Sequence, residues 1–256
     1  FDIGKGVAST VMIRVFVAQD EMRDRQRASL KRSLCYPRES RFQHRETLIL
    51  ERSARISWVR LAGATGVLSV LCYFTAALMP VPDVVERLSA FAFGPLLCVT
   101  FLATYRSMSL HHDGPVVQIA CLFGFIAGVL VTSMLVVQEG NNMVRADLLA
   151  SADSDAARDA INLAWGAANR VQFLLDVAWD IFICVSLLLL ATAMLGHPKF
   201  GKIWGAIGIL AGAAALGLNL QTFPFPPGEA GSVDLGPVVA LWMLAVFIRF
   251  LLIKEP

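Results

Sequence analysis

Two aspartates stand within an otherwise apolar stretch of the sequence. Asp176 and Asp180 are four residues apart in the segment from Leu174 to Phe182, so on a helix they would share one face. A carboxylate inside a bilayer costs about 2.5 kcal/mol or more unless it is paired, protonated or hydrated. Intramembrane acids commonly bind cations or relay protons. The pair therefore predicts a cation or proton site, and two carboxylates this close are expected to titrate as a coupled pair.

Four further polar residues are placed where they can join the aspartates. Asn219 and Gln221 close the fifth apolar stretch at its predicted outer end, and Thr132 and Ser133 lie at a similar depth in the third. Together with the aspartates these side chains can enclose a polar cavity that opens outward. In this hypothesis the carboxylates bind the cation or proton, and Asn219 and Gln221 orient a ligand.

The alternative hypothesis is that the acids are structural. A carboxylate that is hydrogen-bonded to polar neighbours locks helices together without binding a ligand. Such neighbours occur in the turns that precede Asp176, namely Asn162, Asn169, Arg170 and Gln172. The sequence leaves the choice between a ligand site and a structural network open.

Membrane helices must position these side chains, because six apolar stretches fill the chain from residue 58 onward. The composition agrees: 56% of the residues are hydrophobic and 16% are charged, which is more apolar surface than a soluble core absorbs. Each stretch has about the 20 residues that a roughly 30 Å hydrocarbon core requires. The sequence therefore predicts an all-α integral membrane bundle of six transmembrane helices, in contact with the lipid bilayer. The predicted spans are 58–79, 89–108, 115–137, 171–195, 203–221 and 235–253.

Basic residues are concentrated before the first apolar stretch. Residues 1–57 hold twelve Lys or Arg. By the positive-inside rule this segment is cytoplasmic, and six crossings return the C-terminus to the same side. We therefore predict a multi-pass protein of the plasma membrane with a basic cytoplasmic segment at 1–57 and a transmembrane domain at 58–256. Its external loops are predicted at 80–88, at 138–170, which is acidic, and at 222–234.

Two pairs of helices show a hint of duplication. The segments 60–106 and 202–248 match in several small residues and prolines at a constant offset of 142 residues, with Pro95 aligned to Pro237 near the start of a predicted helix. One interpretation is a parallel internal repeat that relates the first two helices to the last two. The other is chance, since glycine at helix contacts and proline at helix starts recur in many membrane proteins.

Several kinds of chemistry find no support in the sequence. It contains no cofactor fingerprint, no metal-ligand cluster and no nucleophile motif. A non-catalytic protein is therefore expected rather than an enzyme, since an active site of this kind would show such groups. No cofactor, metal or nucleic-acid partner is predicted.

A set of short motifs on the predicted outer side resembles a known family. The motifs are Trp179-Asp180-Ile181-Phe182, Asn219-Leu220, Phe223-Pro224 with Pro226-Pro227, and Asp234-Leu235-Gly236-Pro237 with Leu241-Trp242. They are similar to those of a family of uncharacterised bacterial six-helix membrane proteins, and the similarity covers roughly residues 58–253. The resemblance implies the six-helix fold and a bacterial inner membrane. It implies no activity, substrate or site residue, because none is known for that family.

Two function classes follow. The first is a carrier or receptor that handles a small molecule, an ion or a proton through an outward-facing polar cavity around the aspartates. The second is a non-catalytic membrane subunit or scaffold, whose helices bind a further copy or another membrane protein through glycines such as Gly205 and Gly208. A hydrated vestibule around the acids favours the first class, and a dry, saturated hydrogen-bond network favours the second. We expect the first.

Overall fold

Six helices make up the part of the chain that the computed structural model describes, residues 57–109 and 114–253. In chain order they are α1 (Trp58–Leu78), α2 (Asp83–Met108), α3 (Pro115–Ser151), α4 (Asp155–Leu195), α5 (Gly201–Thr222) and α6 (Gly236–Leu252). These residues contain no strand, so the predicted all-α class is confirmed. The predicted basic segment 1–57 lies outside the described residues except for Ser57.

The lengths of the helices agree with a multi-pass membrane protein. Five of them, α1 to α5, are long and apolar enough to cross a membrane. The sixth, α6, is also apolar but has 17 residues, or about 26 Å. It is therefore slightly shorter than a hydrocarbon core of about 30 Å.

Local sequence signals fix where several helices begin. Ser57 and Ser154 cap α1 and α4, and each hydroxyl accepts a hydrogen bond of 3.2 Å from the backbone N–H three residues later. Pro115 and Pro237 stand in the first turns of α3 and α6, where a missing N–H costs nothing. Pro95 lies inside α2 instead. The two prolines aligned by the internal match therefore hold different positions in their helices, and the repeat stays a prediction.

The six helices form a closed ring. Each packs against its neighbours in the chain, and α6 returns to pack against α1. Connections as short as 79–82 and 152–154 make neighbouring helices antiparallel. The ring therefore has two ends. The hairpin end carries the connections 79–82, 152–154 and 223–235, and the opposite end carries the start of α1 and the ends of α2 and α4.

Glycine permits the contacts that close this ring through α6. A Cβ added to Gly66 of α1 would collide with the ring of Phe247 in α6, and one added to Gly208 of α5 would collide with Trp242 in α6. Only a residue without a side chain lets these helices approach so closely. Gly208, named above as a contact for another chain, thus packs against α6 within the ring.

The segment 138–170, predicted to be an external loop, is helical except at residues 152–154. With 37 and 41 residues, α3 and α4 are about 55 and 61 Å long, so both continue well beyond a 30 Å core. The loop prediction is wrong because polarity marks where a chain leaves the membrane, whereas the many alanines of this segment favour helix. For the same reason α2 begins at Asp83 and not at residue 89.

The two extensions pair with each other as a projecting hairpin, defined as residues 138–151 of α3 and 155–170 of α4. Nε and Nη2 of Arg145 donate to Asn162 Oδ1 at 3.1 and 3.0 Å. The guanidinium carbon of Arg145 also lies 4.4 Å from the centroid of the Trp165 ring. These contacts tie the two helices together outside the apolar spans.

Candidate functional site

Asp180 lies at a cavity inside the ring, toward the hairpin end. The residue stands 15 positions before the end of α4 at Leu195, about 22 Å from that end of the helix. The cavity has a volume of about 50 Å³, enough for a few water molecules. Residues of α1, α2, α4, α5 and α6 line it together with the α5–α6 connection. Its polar side chains, apart from the indole of Trp179, include Tyr73, Asp180, Asn219 and Asp234.

The cavity reaches the surface at the hairpin end. Asn219 stands in the last turn of α5 and Gly236 in the first turn of α6, and both line the cavity. Asp234, in the connection between these helices, also lines it and is exposed. A small ligand can therefore enter from this end without passing through the apolar core.

Asn219 brings an unpaired acceptor to the cavity. Its side chain is buried, with 5% exposed, and its Nδ2 donates to Ala215 O at 3.1 Å. Its Oδ1 has no hydrogen-bond partner among the described residues. The side chain lies beside the carboxylate of Asp180. Because a buried polar atom left unpaired costs about 1–3 kcal/mol, a water or ligand that enters the cavity gains by bonding to this oxygen.

Aromatic side chains form the wall of the cavity between α1, α2 and α4. The ring centroids of Tyr73 and Phe93 are 5.6 Å apart, and those of Phe93 and Trp179 are 6.1 Å apart in an edge-on arrangement. The indole Nε1 of Trp179 is buried and lacks a hydrogen-bond partner within the described part of the chain. The cavity is thus largely apolar on this side and polar toward Asp180 and Asn219.

Negative charge surrounds Asp180. The charged groups that act on it most strongly are Asp176, one turn away on α4, and Asp234. Neither Asp176 nor Asp180 makes an ion pair with any residue that the structure describes. A carboxylate held at membrane depth without a basic partner costs about 2.5 kcal/mol or more. A proton or a small cation would remove that cost.

A glycine at the start of α6 leaves room for two polar groups close to its Cα at the mouth of the cavity. The backbone N–H of Gly236 donates to Asp234 Oδ1 at 2.7 Å. A Cβ added to Gly236 would lie 3.0 Å from this oxygen and 3.2 Å from the hydroxyl oxygen of Tyr73. Any larger residue at this position would therefore crowd both groups.

Of the predicted site residues, the structure brings Asp180 and Asn219 together. Asp176 is half-buried one turn nearer the hairpin end and does not line the cavity, although its charge interacts with those of Asp234 and Glu229. Gln221 is exposed in the last turn of α5 and does not line the cavity either.

Thr132 and Ser133 lie away from the cavity, because α3 does not line it. The hydroxyl of Thr132 donates to Gly128 O at 2.7 Å and packs against Gly94 where α2 meets α3. Ser133 is exposed, and its hydroxyl donates to Val129 O at 3.0 Å. Both hydroxyls are satisfied within their own helix.

Sequence reasoning missed four polar or aromatic residues of the cavity, Tyr73, Phe93, Trp179 and Asp234. Trp179 adjoins Asp180 in the chain, and Asp234 lies in a connection at the same end of the bundle. Their positions along the bundle could therefore have predicted that they lie near Asp180. Tyr73 offers no such signal, because its place in the cavity depends on α1 packing against α6.

No protein-family model, no curated protein and no solved structure matches the chain. The resemblance to uncharacterised bacterial six-helix membrane proteins therefore stays a prediction. The geometry of the cavity carries the functional argument.

Proposed function

We propose that the protein binds a proton or a small monovalent cation at Asp180, in a cavity entered from the hairpin end. The observation that carries this proposal is that Asp180 and the unpaired acceptor Asn219 Oδ1 belong to one cavity. A carboxylate that is desolvated and lacks a basic partner gains strongly from a positive ion. Such a group is what an ion carrier or an ion receptor needs at membrane depth.

The size of the cavity limits the ligand. Sites for organic molecules typically measure about 300–1,000 Å³, whereas this cavity measures about 50 Å³. In addition, no three or more His, Cys, Asp or Glu side chains of residues 57–109 and 114–253 are grouped so that they could hold a metal ion. The proposal therefore names a proton or a monovalent cation rather than an organic molecule or a divalent metal.

Unsatisfied hydrogen bonds favour ligand binding over a structural role for the acid. A structural network is expected to satisfy its buried polar groups. Asn219 Oδ1 and Trp179 Nε1 both lack hydrogen-bond partners among the described residues. The alternative function, a non-catalytic subunit or scaffold, draws its support from the projecting hairpin, where Leu163 and Val144 are 79% and 58% exposed.

The proposal includes an orientation in the plasma membrane. The twelve Lys or Arg that precede α1 favour a cytoplasmic location for that end of the chain. Since α1 then runs from the cytoplasm to the hairpin end, the cavity opens to the exterior, and both termini are cytoplasmic.

Infrared difference spectra of the carboxyl groups in purified protein test the proposal. The probes are a change of pH, Na⁺ and NH₄⁺, each applied separately. We expect a carboxyl band that responds to at least one of these probes and that is absent from Asp180→Asn. The matched control is Asp147→Asn, which changes an exposed acid of the projecting hairpin and should leave the band in place.

Two results would contradict cation binding at Asp180. One is a response of Asp180→Asn that equals that of the wild type. The other is a band of Asp180 that stays unchanged under all three probes while only the exposed carboxyl groups respond to pH, which would favour the scaffold function.

A further inference from the structure

Buried hydroxyl groups are concentrated on α1 and α2, on the side of the cavity away from the hairpin end. Eight polar residues are buried in the described part of the chain, and four of them are Ser69, Thr100, Thr104 and Ser107, with 0%, 0%, 0% and 4% exposed. With Thr65 of α1 they form what is here called the hydroxyl row. No other contact between two helices in the described residues buries as many hydroxyl groups.

The hydroxyl row begins where the cavity ends. Val70 of α1 and Leu97 of α2 line the cavity, Ser69 adjoins Val70, and Thr100 is one turn beyond Leu97 toward the opposite end. The hydroxyls of Thr100 and Thr65 are bonded at 2.9 Å, which fixes the hydroxyl-bearing faces of the two helices against each other.

On α2 the row continues to the opposite end of the bundle. Thr100, Thr104 and Ser107 follow one another at spacings of four and three residues, so they share a face of the helix. They descend about 10 Å along its axis, and Ser107 is the residue before the last in α2. Neighbouring hydroxyls are about one turn apart, a gap that one water molecule can bridge.

Thr104 is the member of the row that lacks a partner. Ser69, Thr100 and Ser107 each donate to a backbone carbonyl of their own helix, at 3.0, 2.7 and 2.8 Å. Thr104 Oγ1 is buried and has no hydrogen-bond partner among the described residues. A hydroxyl can both donate and accept. The Thr104 hydroxyl can therefore still donate one hydrogen bond and accept others, and it lies between Thr100 and Ser107 in the row.

We propose that the hydroxyl row carries protons between Asp180 and the opposite end of the bundle. The inference rests on the proposed function and extends it in two ways. It identifies the ion as a proton, and it states that the proton crosses the membrane.

The proposed step conserves atoms and charge. A proton leaves the Asp180 carboxyl for a water in the cavity, and that water passes one proton to the first hydroxyl of the row. At every oxygen along the row one O–H bond forms on the cavity side while another breaks on the far side. Asp180 then takes up a proton from the hairpin end, so the net result is one H⁺ moved along the bundle, with the carboxyl and each hydroxyl restored. An existing pH or electrical gradient across the membrane supplies the driving force, and the direction follows that gradient.

Hydroxyl groups between helices can also serve packing alone, and Thr104→Val separates the two roles. Valine keeps the shape of threonine but removes its hydroxyl. In a packing role this change is neutral or stabilising, since an unpaired buried oxygen is lost. In a proton path it interrupts the row without harming the fold.

The test is proton uptake by vesicles that contain the full-length protein, an internal pH-sensitive dye and an imposed membrane potential. We expect uptake by the wild type, and a rate that is lower by about tenfold or more in Thr104→Val, which corresponds to a modest added barrier. The matched control is Ser133→Ala, because Ser133 is an exposed hydroxyl of α3 outside the row. It should leave the rate unchanged. If Thr104→Val fails to fold, Ser107→Ala replaces it with the same expected direction.

The outcomes distinguish this inference from the proposed function. Absence of uptake by the wild type, with a carboxyl band of Asp180 that still responds to protons or cations, overturns the proton path and leaves the ion site standing. Uptake by Thr104→Val at the wild-type rate also overturns the path. An Asp180 carboxyl band that responds neither to protons nor to cations overturns both the proton path and the ion site.

Discussion

The cavity and the projecting hairpin differ in how their polar side chains are paired. In the hairpin, Arg145 is bonded to Asn162 at 3.0 and 3.1 Å and covers the ring of Trp165. In the cavity, Asn219 Oδ1 and Trp179 Nε1 are buried and lack hydrogen-bond partners among the described residues.

The hairpin also contains one such atom, Asn141 Nδ2. The hairpin projects beyond the apolar spans, however, so water lies close to its polar groups, and pairing there reflects packing. In the cavity only a water or a ligand that enters it can supply the missing partners, as the proposed ion site requires.

Among the substitutions that test this difference, Asp180→Asn is expected to have the largest effect on cation affinity. Removal of one partner from a buried ion pair typically costs about 3–5 kcal/mol, so affinity for the responding cation should fall by about a hundredfold or more. Without added cation the variant should be at least as stable as the wild type, because a half-buried carboxylate that lacks a basic partner has been removed. Calorimetric titration and thermal unfolding in detergent measure the two effects.

The stability measurement also tests the structural alternative. If Asp180 holds helices together, Asp180→Asn should unfold at a lower temperature in the absence of any cation. That result would mean that polar side chains stabilise helix packing in the cavity as they do in the hairpin.

Asn219→Leu should have the next largest effect. Leucine has the branched shape of asparagine but lacks both Oδ1 and Nδ2, the atom that donates to Ala215 O in a side chain beside the Asp180 carboxylate. We expect cation affinity to fall by about tenfold to a hundredfold, the equivalent of a 1–3 kcal/mol hydrogen-bond loss. Gln221→Leu is the matched control, since it changes an exposed amide at the same end of α5. Equal losses of affinity in the two variants would argue against a specific role for Asn219.

The contrast between the two regions also explains how far the sequence could predict them. Apolar stretches of about 20 residues predict the helices correctly, because a bilayer allows few alternatives to helix. Helix ends depend on other signals. The segment 138–170 is polar and was expected to be a loop, but alanine and the Ser154 cap continue the helices to a turn of three residues.

Of the predicted site residues, the structure brings together those that position along the helix is enough to identify. Asp180 and Asn219 lie at the same end of helices that adjoin in the chain, so depth and order agree. Thr132 and Ser133 have a suitable depth but belong to α3, which the ring places away from the cavity. The order of helices around a ring is set by side-chain packing, such as that of Gly66 against Phe247. No periodicity in the sequence reports it.

Arg145→Ala tests the hairpin half of the contrast with a smaller expected effect. The change removes the bonds to Asn162 and the contact with Trp165, and we expect a loss of about 1 kcal/mol in stability. Cation affinity should be unaffected, because Arg145 does not line the cavity. Hydrogen exchange of the hairpin amides and calorimetric titration measure the two quantities, with the exposed Arg158→Ala as control. A change in affinity would show that the two regions are coupled.

Leu163→Gln should have the smallest effect and is the most sensitive test of whether the hairpin stands alone. Leu163 is 79% exposed, and substitutions at such positions usually change stability by less than about 0.5 kcal/mol. We therefore expect unchanged thermal unfolding and an unchanged particle mass by light scattering. A loss of stability, or a smaller particle, would mean that another chain covers this side chain. The projecting hairpin would then be a binding surface. Its exposed apolar residues would mark a place where a partner binds, as the unpaired polar atoms of the cavity mark the proposed ion site.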